Sequence, residues 1–271
     1  MAGCDIIRCA VPNIDAAKSL KDIILKTKLP IVADIHFEYR LALEAIKSGV
    51  HGLRINPGNI GQKKRIISVV QSAKDSNIPI RIGVNSGSLE KDLLEKYGYP
   101  SADALVESAE RHLSILDELD FKNVKVSVKS SNVNIMIDAY RKLAKKTDVP
   151  FHLGVTESGT YEIGSVKSSI GIGSLISEGI GDTIRVSLTD DPIKEVKMGK
   201  NILKALGHFE NGIELITCPG CGRLEIDLQS LVEDVEKRIE KIKIKKTLKV
   251  SILGCVVNGP GEALGLSLIH I

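Results

Sequence analysis

Short apolar runs, with polar residues at every second position, alternate with longer stretches of helical period up to about residue 207. The short runs read as strands over 5–12 (DIIRCAVP), 30–37 (PIVADIHF), 52–59 (GLRINPGN), 79–86 (PIRIGVNS), 123–130 (NVKVSVKS), 150–157 (PFHLGVTE) and 182–189 (DTIRVSLT). Between them, AAKSLKDIILKTK, YRLALEAIKSG, KKRIISVVQSAKD and IDAYRKLAKK place apolar residues three and four apart, the period of a helix with one buried face. Strands alternating with helices imply parallel strands covered by helices. Seven such units in one run predict an α/β fold of the (β/α)8 TIM-barrel type. The first strand begins almost at Met1, so the first strand–helix unit of the eight is expected to be missing. The longest insertion, residues 89–120, reads as helices.

From near Asn211 the pattern changes to strand (IELITC), helix (EIDLQSLVEDVEKRIEKI), strand (LKVSILGC) and the turn-rich VVNGPGE. The expected division is therefore a barrel over 1–207 and a small α/β module over 208–271, with 265–271 reading as a truncated or foreign tail.

Composition narrows the function classes. The 271 residues are 43% hydrophobic and 26% charged, the balance of a globular protein. Thirty-seven basic against 34 acidic residues give +3, too mild a surplus to imply nucleic acid, and 3% aromatics without Trp offer no stacking platform for bases. No apolar stretch approaches the roughly 20 residues of a membrane span, and no charged leader precedes an apolar segment. The five cysteines do not form a secreted disulfide framework, so a reducing cytoplasm is expected.

Side chains at i and i+2 on a strand share a face. Asp34 with His36, Arg54 with Asn56, Ser127 with Lys129, and Arg185 with Ser187 have this spacing near strand ends, and Arg81 and Asn85 share a face four apart. Arg8 and Glu157 are read as closing their own strands. Any one of these reads as a rim salt bridge. Together they cannot all be packing residues, and the C-terminal rim of a βα barrel is where active sites are built. Arg8, Arg54, Arg81, Lys129 and Arg185 outnumber Asp34 and Glu157, and forked guanidinium donors suit phosphate or diphosphate oxygens. The ring thus predicts a phosphorylated small molecule as ligand. Glu157 is the better acid–base candidate; His36 reads equally as proton donor, hydrogen-bonding group or structural histidine.

Cys218 and Cys221 form a C-x-x-C pair on a Pro-Gly turn, and Cys255 follows after 33 intervening residues in a similar strand-then-turn setting. A redox dithiol would leave Cys255 idle. A structural zinc site wants four ligands, and His208 and His270 are poorly placed to complete one. A 4Fe–4S cluster held by three cysteines leaves one iron for another ligand, and Glu262 stands seven residues after Cys255. Spacing alone leaves both metals open. The non-redox alternative is a phosphosugar-binding barrel with a structural zinc module.

Several stretches, PIVADIHFEYRLALEAIKSGVHGLRINPGNIG, PIRIGVNSGSLEKDLLEKYG, VKVSVKSS, HLGVTESG, GIGDTIRVSLTDDP, TCPGCGR and GCVVNGPGEA, resemble the 4-hydroxy-3-methylbut-2-enyl diphosphate synthase family. These are iron–sulfur oxidoreductases of the methylerythritol phosphate route to isoprenoids, and the resemblance runs from about Gly3 to Leu264. It implies a barrel binding 2-C-methyl-D-erythritol 2,4-cyclodiphosphate and a small domain carrying a 4Fe–4S cluster. Cys218, Cys221 and Cys255 match the family's cysteine ligands and Glu262 its carboxylate ligand. Arg8, His36, Arg54, Asn56, Arg81, Asn85, Lys129, Arg185 and Ser187 match residues lining its substrate site, and Glu157 a carboxylate near the reacting carbons. Asp34 joins His36 and Glu157 as an expected catalytic group. The resemblance also implies a head-to-tail homodimer and reduced flavodoxin or ferredoxin as electron donor. The run KRIEKIKIKK (237–246) is a docking candidate for such an acidic carrier, weighed against a plain solvated helix end. Two departures accompany it: the family's N-terminal Gln-Ser-Met-Thr-like unit is absent, and after Leu264 the chain reads GLSLIHI.

Overall fold

The computed structural model describes residues 2–61, 63–208, 212–224, 226–239, 242, 244, 246–254 and 266. Two compact units result, Met1–Ile202 and Leu203–Ile271.

The first unit alternates strands and helices. In chain order these are β1 (Ile7–Ala10), α1 (Ile14–Lys26), β2 (Ile31–Asp34), α2 (Tyr39–Lys47), β3 (Gly52–Ile55), α3 (Pro57–Ile60), α4 (Lys63–Asp75), β4 (Ile80–Asn85), α5 (Lys91–Tyr97), α6 (Ala102–Glu118), β5 (Val124–Lys129), α7 (Val133–Ala144), β6 (His152–Leu153), α8 (Tyr161–Ser177), β7 (Thr183–Ile184) and α9 (Pro192–Ala205). Strands β1 to β5 form one sheet in sequence order, every pairing parallel. A single bridge, Val126↔Phe151, leads on to the parallel pair β6–β7. Parallel neighbours in chain order, each followed by a helix, are the arrangement of a βα barrel. The insertion over 89–120 is helical as expected, in α5 and α6, with His112 Nε2 2.8 Å from Glu90 Oε1 between them.

Alternation along the strands creates two faces. Ile80, Ile82 and Val84 of β4, like Val126 and Val128 of β5, are buried on one side. Arg81, Gly83 and Asn85, and Lys125, Ser127 and Lys129, occupy the other. Asn13, Ser101 and Asn132 start α1, α6 and α7 by accepting from the amides of Ala16, Ala104 and Ile135.

The strands are shorter than the apolar runs implied. β3 ends at Ile55, because Pro57 has no amide for the ladder and suits the first turn of a helix, here α3. The run 150–157 keeps two strand residues, and so does 182–189. Consequently Arg8 is the second of four residues in β1 and does not close it, while Glu157 lies four residues beyond the end of β6.

In the second unit, β8 (Gly212–Thr217) and β9 (Thr247–Ile252) pair in parallel from Gly212↔Thr247 to Thr217↔Ile252, and α10 (Leu228–Ile239) connects them. This is the strand–helix–strand module the sequence predicts.

Candidate active site

The polar strand face of the first unit gathers charge around one carboxylate. Asp34, 4% exposed at the end of β2, meets Arg8 Nη1 at 3.2 Å through Oδ2 and Arg54 Nη1 at 3.2 Å through Oδ1. Register explains the second contact, since Asp34 and Arg54 are parallel partners. Arg54 also donates through Nη2 to the Gly83 carbonyl at 3.2 Å. Gly83 is needed there, because a Cβ would lie 2.5 Å from Arg54 Nε. Arg54 Nε itself is buried and has no hydrogen-bond partner among the described residues. His36 Nε2 stands 4.0 Å from Asp34 Oδ1 with its side chain half exposed.

Arg81 starts deeper than the sequence implied. It is the second residue of six in β4, 6% exposed, and its length carries Nη1 to Ser127 Oγ at 2.7 Å. Lys129, the last residue of β5, is 7% exposed and makes no ion pair with a carboxylate among the described residues. Burial first, then the charges of Arg81, Arg185, Arg8 and Arg54, push its ammonium well below the ordinary lysine value. Burial and the charges of Arg54 and Arg8 bring Arg81 down to about 9, and burial with Arg185 brings Arg8 down to about 10. Arg185 is lowered too, chiefly by burial. Five cations within reach of one another, against Asp34 and the Glu195 carboxylate that acts on Arg185 and Arg8, leave an uncompensated positive field. An anion bound among them would relieve it.

Other expected residues take different places. Asn56 is buried just beyond β3. The Asn85 side chain accepts from the Gly87 amide at 3.2 Å, capping a 3-10 turn. The Ser187 carbonyl accepts from the buried Ser158 hydroxyl. Glu157 is exposed, with φ at 50°, in the left-handed region, and the structure does not bring it to the cations.

One residue inside the cluster escaped the sequence reading. His152, first in β6, sets Nδ1 2.8 Å from Thr183 Oγ1 on β7. Its only signal was a polar residue in PFHLGV, which reads as readily as a satisfied core histidine. Burial, then Lys129, Arg81, Lys125 and Arg185, hold its imidazole well below the ordinary value. The folded protein therefore keeps it neutral while the unfolded chain takes up a proton below about pH 6.5. Stability is expected to fall as pH drops below that value, this group contributing no more than about 1.4 kcal/mol per pH unit. Urea unfolding between pH 7.5 and 5.5 should show a shallower slope in His152→Gln than in the native chain; identical slopes would contradict the assignment.

In the second unit the C-x-x-C turn follows β8 directly. The Cys218 amide donates to the Ile252 carbonyl at 3.2 Å, its sulfur accepts from the Gly220 amide at 3.4 Å, and Gly220 takes φ +81°. Cys221 is exposed, and hydrogen bonds from the Arg223 backbone and side chain hold its thiol below the usual value. Leu224 packs against Gly254, where any side chain would collide with it, so the thiol turn meets the residue before Cys255. Cys255 and Glu262 lie outside the described residues. Among the described residues no three His, Cys, Asp or Glu side chains converge as a metal site. The donor set present, two free thiols on a turn, fits a thiophilic metal centre.

Comparison with known proteins adds to this geometry. Residues 1–200 match the GcpE TIM-barrel domain, and residues 214–267 match the GcpE protein C-terminal domain. The 4-hydroxy-3-methylbut-2-en-1-yl diphosphate synthase (flavodoxin) of Clostridium acetobutylicum is 62% identical over 263 residues, covering 97% of this chain and 75% of that protein. The protein of the same name from Bacillus subtilis is 55% identical over 262 residues, covering 97% of this chain and 69% of its own length. Among solved structures, the type I 3-dehydroquinate dehydratase of Clostridium difficile superposes with a TM-score of 0.50 at 16% identity, over 74% of this chain and 81% of that one. That likeness concerns the barrel fold alone. No described helix is long and apolar enough to cross a membrane.

Proposed function

The chain belongs to the GcpE family, and on that premise we propose that it reduces 2-C-methyl-D-erythritol 2,4-cyclodiphosphate to 4-hydroxy-3-methylbut-2-enyl diphosphate with electrons from flavodoxin. The cyclic diphosphate takes up two electrons and two protons, its ring C–O bond to phosphate breaks, and one hydroxyl leaves as water. The concentration of Arg8, Arg54, Arg81, Lys129 and Arg185 around Asp34 carries the reading. A diphosphate supplies the negative charge this cluster lacks, and guanidinium forks bind its oxygens in pairs.

The chain's residues divide the work. Lys129, Arg81 and Arg185 hold the diphosphate, and Asp34 orients Arg8 and Arg54 through its two occupied oxygens. His36, beside Asp34 and half exposed, is placed to donate a hydrogen bond to the substrate. Glu157, on its exposed loop, would deliver a proton as the hydroxyl departs once substrate draws the loop in. Cys218 and Cys221, with Cys255 and Glu262, would hold a 4Fe–4S cluster. When bound, such a cluster supplies electrons one at a time. The working unit is a homodimer in which one subunit's thiol module serves the other's barrel, and the free thiols suit a reducing cytoplasm. A zinc-bearing, non-redox barrel is not favoured, since the relatives are named as flavodoxin-dependent synthases.

The test is anaerobic turnover of the cyclodiphosphate by the iron- and sulfide-reconstituted chain with reduced flavodoxin, followed by phosphorus NMR. Product is expected only with the reduced carrier. A colourless chain that retains zinc and leaves the substrate intact would overturn the reading.

A further inference from the structure

Between β5 and β6 the ladder is interrupted by a side chain. The Val126 amide donates to the Pro150 carbonyl at 2.9 Å, beside the Val126↔Phe151 bridge. In a regular parallel ladder the next rung runs from the Val128 amide to the His152 carbonyl. Here one phenol takes both groups: the Val128 amide donates to the Tyr140 hydroxyl at 3.1 Å, and that hydroxyl donates to the His152 carbonyl at 2.6 Å. Tyr140 comes from α7, is fully buried, and meets Phe151 edge-on with ring centroids 5.7 Å apart. Beyond it the two segments rejoin, the Thr156 amide donating to the Ser130 carbonyl at 3.3 Å.

The wedge sits at the level of Lys129 and Gly154. A Cβ on Gly154 would lie 3.4 Å from the Lys129 ammonium and 2.5 Å from the Arg185 carbonyl oxygen. The ammonium therefore rests against backbone that carries no side chain, beside strands parted by one hydroxyl. A phenol buried without a partner would be unfavourable, and this one is satisfied only by displacing a backbone rung.

We propose that Tyr140 is a positioning residue for anion binding: its hydroxyl, spliced into the β5–β6 ladder, holds open the slot in which the Lys129 ammonium sits over Gly154. It thereby fixes where that ammonium meets the diphosphate. The inference rests on the reading of Lys129 as a diphosphate ligand. Tyr140→Phe removes one oxygen and lets Val128 and His152 pair directly, which narrows the slot.

Calorimetric titration of inorganic pyrophosphate into the full chain tests it, in the native protein, Tyr140→Phe, Lys129→Met and the double variant. Lys129→Met is expected to weaken binding about tenfold or more, the loss of one charge-assisted contact. Tyr140→Phe should weaken it by roughly three- to tenfold, and the double variant should bind no more weakly than Lys129→Met alone. 4-Aminophenylalanine at position 140, which keeps the donor to the His152 carbonyl and the spacing of the wedge, should recover most of the lost affinity. Native affinity in Tyr140→Phe, no recovery with 4-aminophenylalanine, or losses that multiply in the double variant would overturn the wedge. Unchanged binding in Lys129→Met would instead overturn the reading of the site beneath it. If Tyr140→Phe does not fold, Gly154→Ala fills the slot from the other side; because its Cβ also presses on the Arg185 carbonyl, a loss smaller in the Lys129→Met background than in the native one is expected, and native affinity or an equal loss in both counts against the proposal.

Discussion

Cys221→Ser is expected to abolish turnover and, with it, the brown colour expected of the anaerobically purified chain. A serine oxygen at this position is a far poorer ligand for iron than a thiolate, and Cys221 stands on the turn after β8 with its thiol already favoured in the ionised form by Arg223. The native protein should carry about four irons per chain and a broad absorption near 400 nm, with values far below that in the variant. Cys4→Ser is the control: its sulfur donates to the Ile6 carbonyl at 2.9 Å at the start of the first unit, and iron content should not change. Equal iron in native and Cys221→Ser protein would remove the thiol turn from the metal centre.

Asp34→Asn should produce the largest loss of stability among the charged residues of the candidate site. It removes the one carboxylate that Arg8 and Arg54 share, at 3.2 Å each, and leaves two guanidinium groups facing Arg81, Lys129 and Arg185. Breaking a buried ion pair on one side typically costs several kcal/mol; with Arg8 31% exposed, about 2–4 kcal/mol is expected here. Because the deficit is one of negative charge, millimolar pyrophosphate should recover most of it and should raise the variant's urea midpoint more than the native one. Equal stability of the two proteins in phosphate-free buffer would show that the cations do not crowd one another as the geometry indicates. The same variant should lose turnover as well, since Arg8 and Arg54 would no longer be held in place.

Much of this architecture is local in origin. Strand and helix periods depend on neighbours within a few residues, so the βα alternation, the helical insertion over 89–120 and the strand–helix–strand module were all readable. The same locality let alternate positions on β3, β4, β5 and around β7 be assigned to one polar face. Element ends were less legible: 150–157 and 182–189 contain only two strand residues each. In the first case Tyr140, from the preceding helix, takes the rung that would have extended the pairing.

Which chemistry is available was written in the residues alone: cations in excess on one strand face, and cysteines spaced as C-x-x-C with a third after 33 intervening residues. How those groups act on one another came from folding. Asp34 became the shared partner of two arginines through the β1–β2–β3 register, and Lys129 was buried among Arg81, Arg185, Arg8 and Arg54 with no carboxylate paired to it among the described residues. His152 entered the site through Thr183, and Glu157 was set apart on a left-handed turn. Burial and charge coupling sum over residues that lie far apart along the chain, and no local period records them.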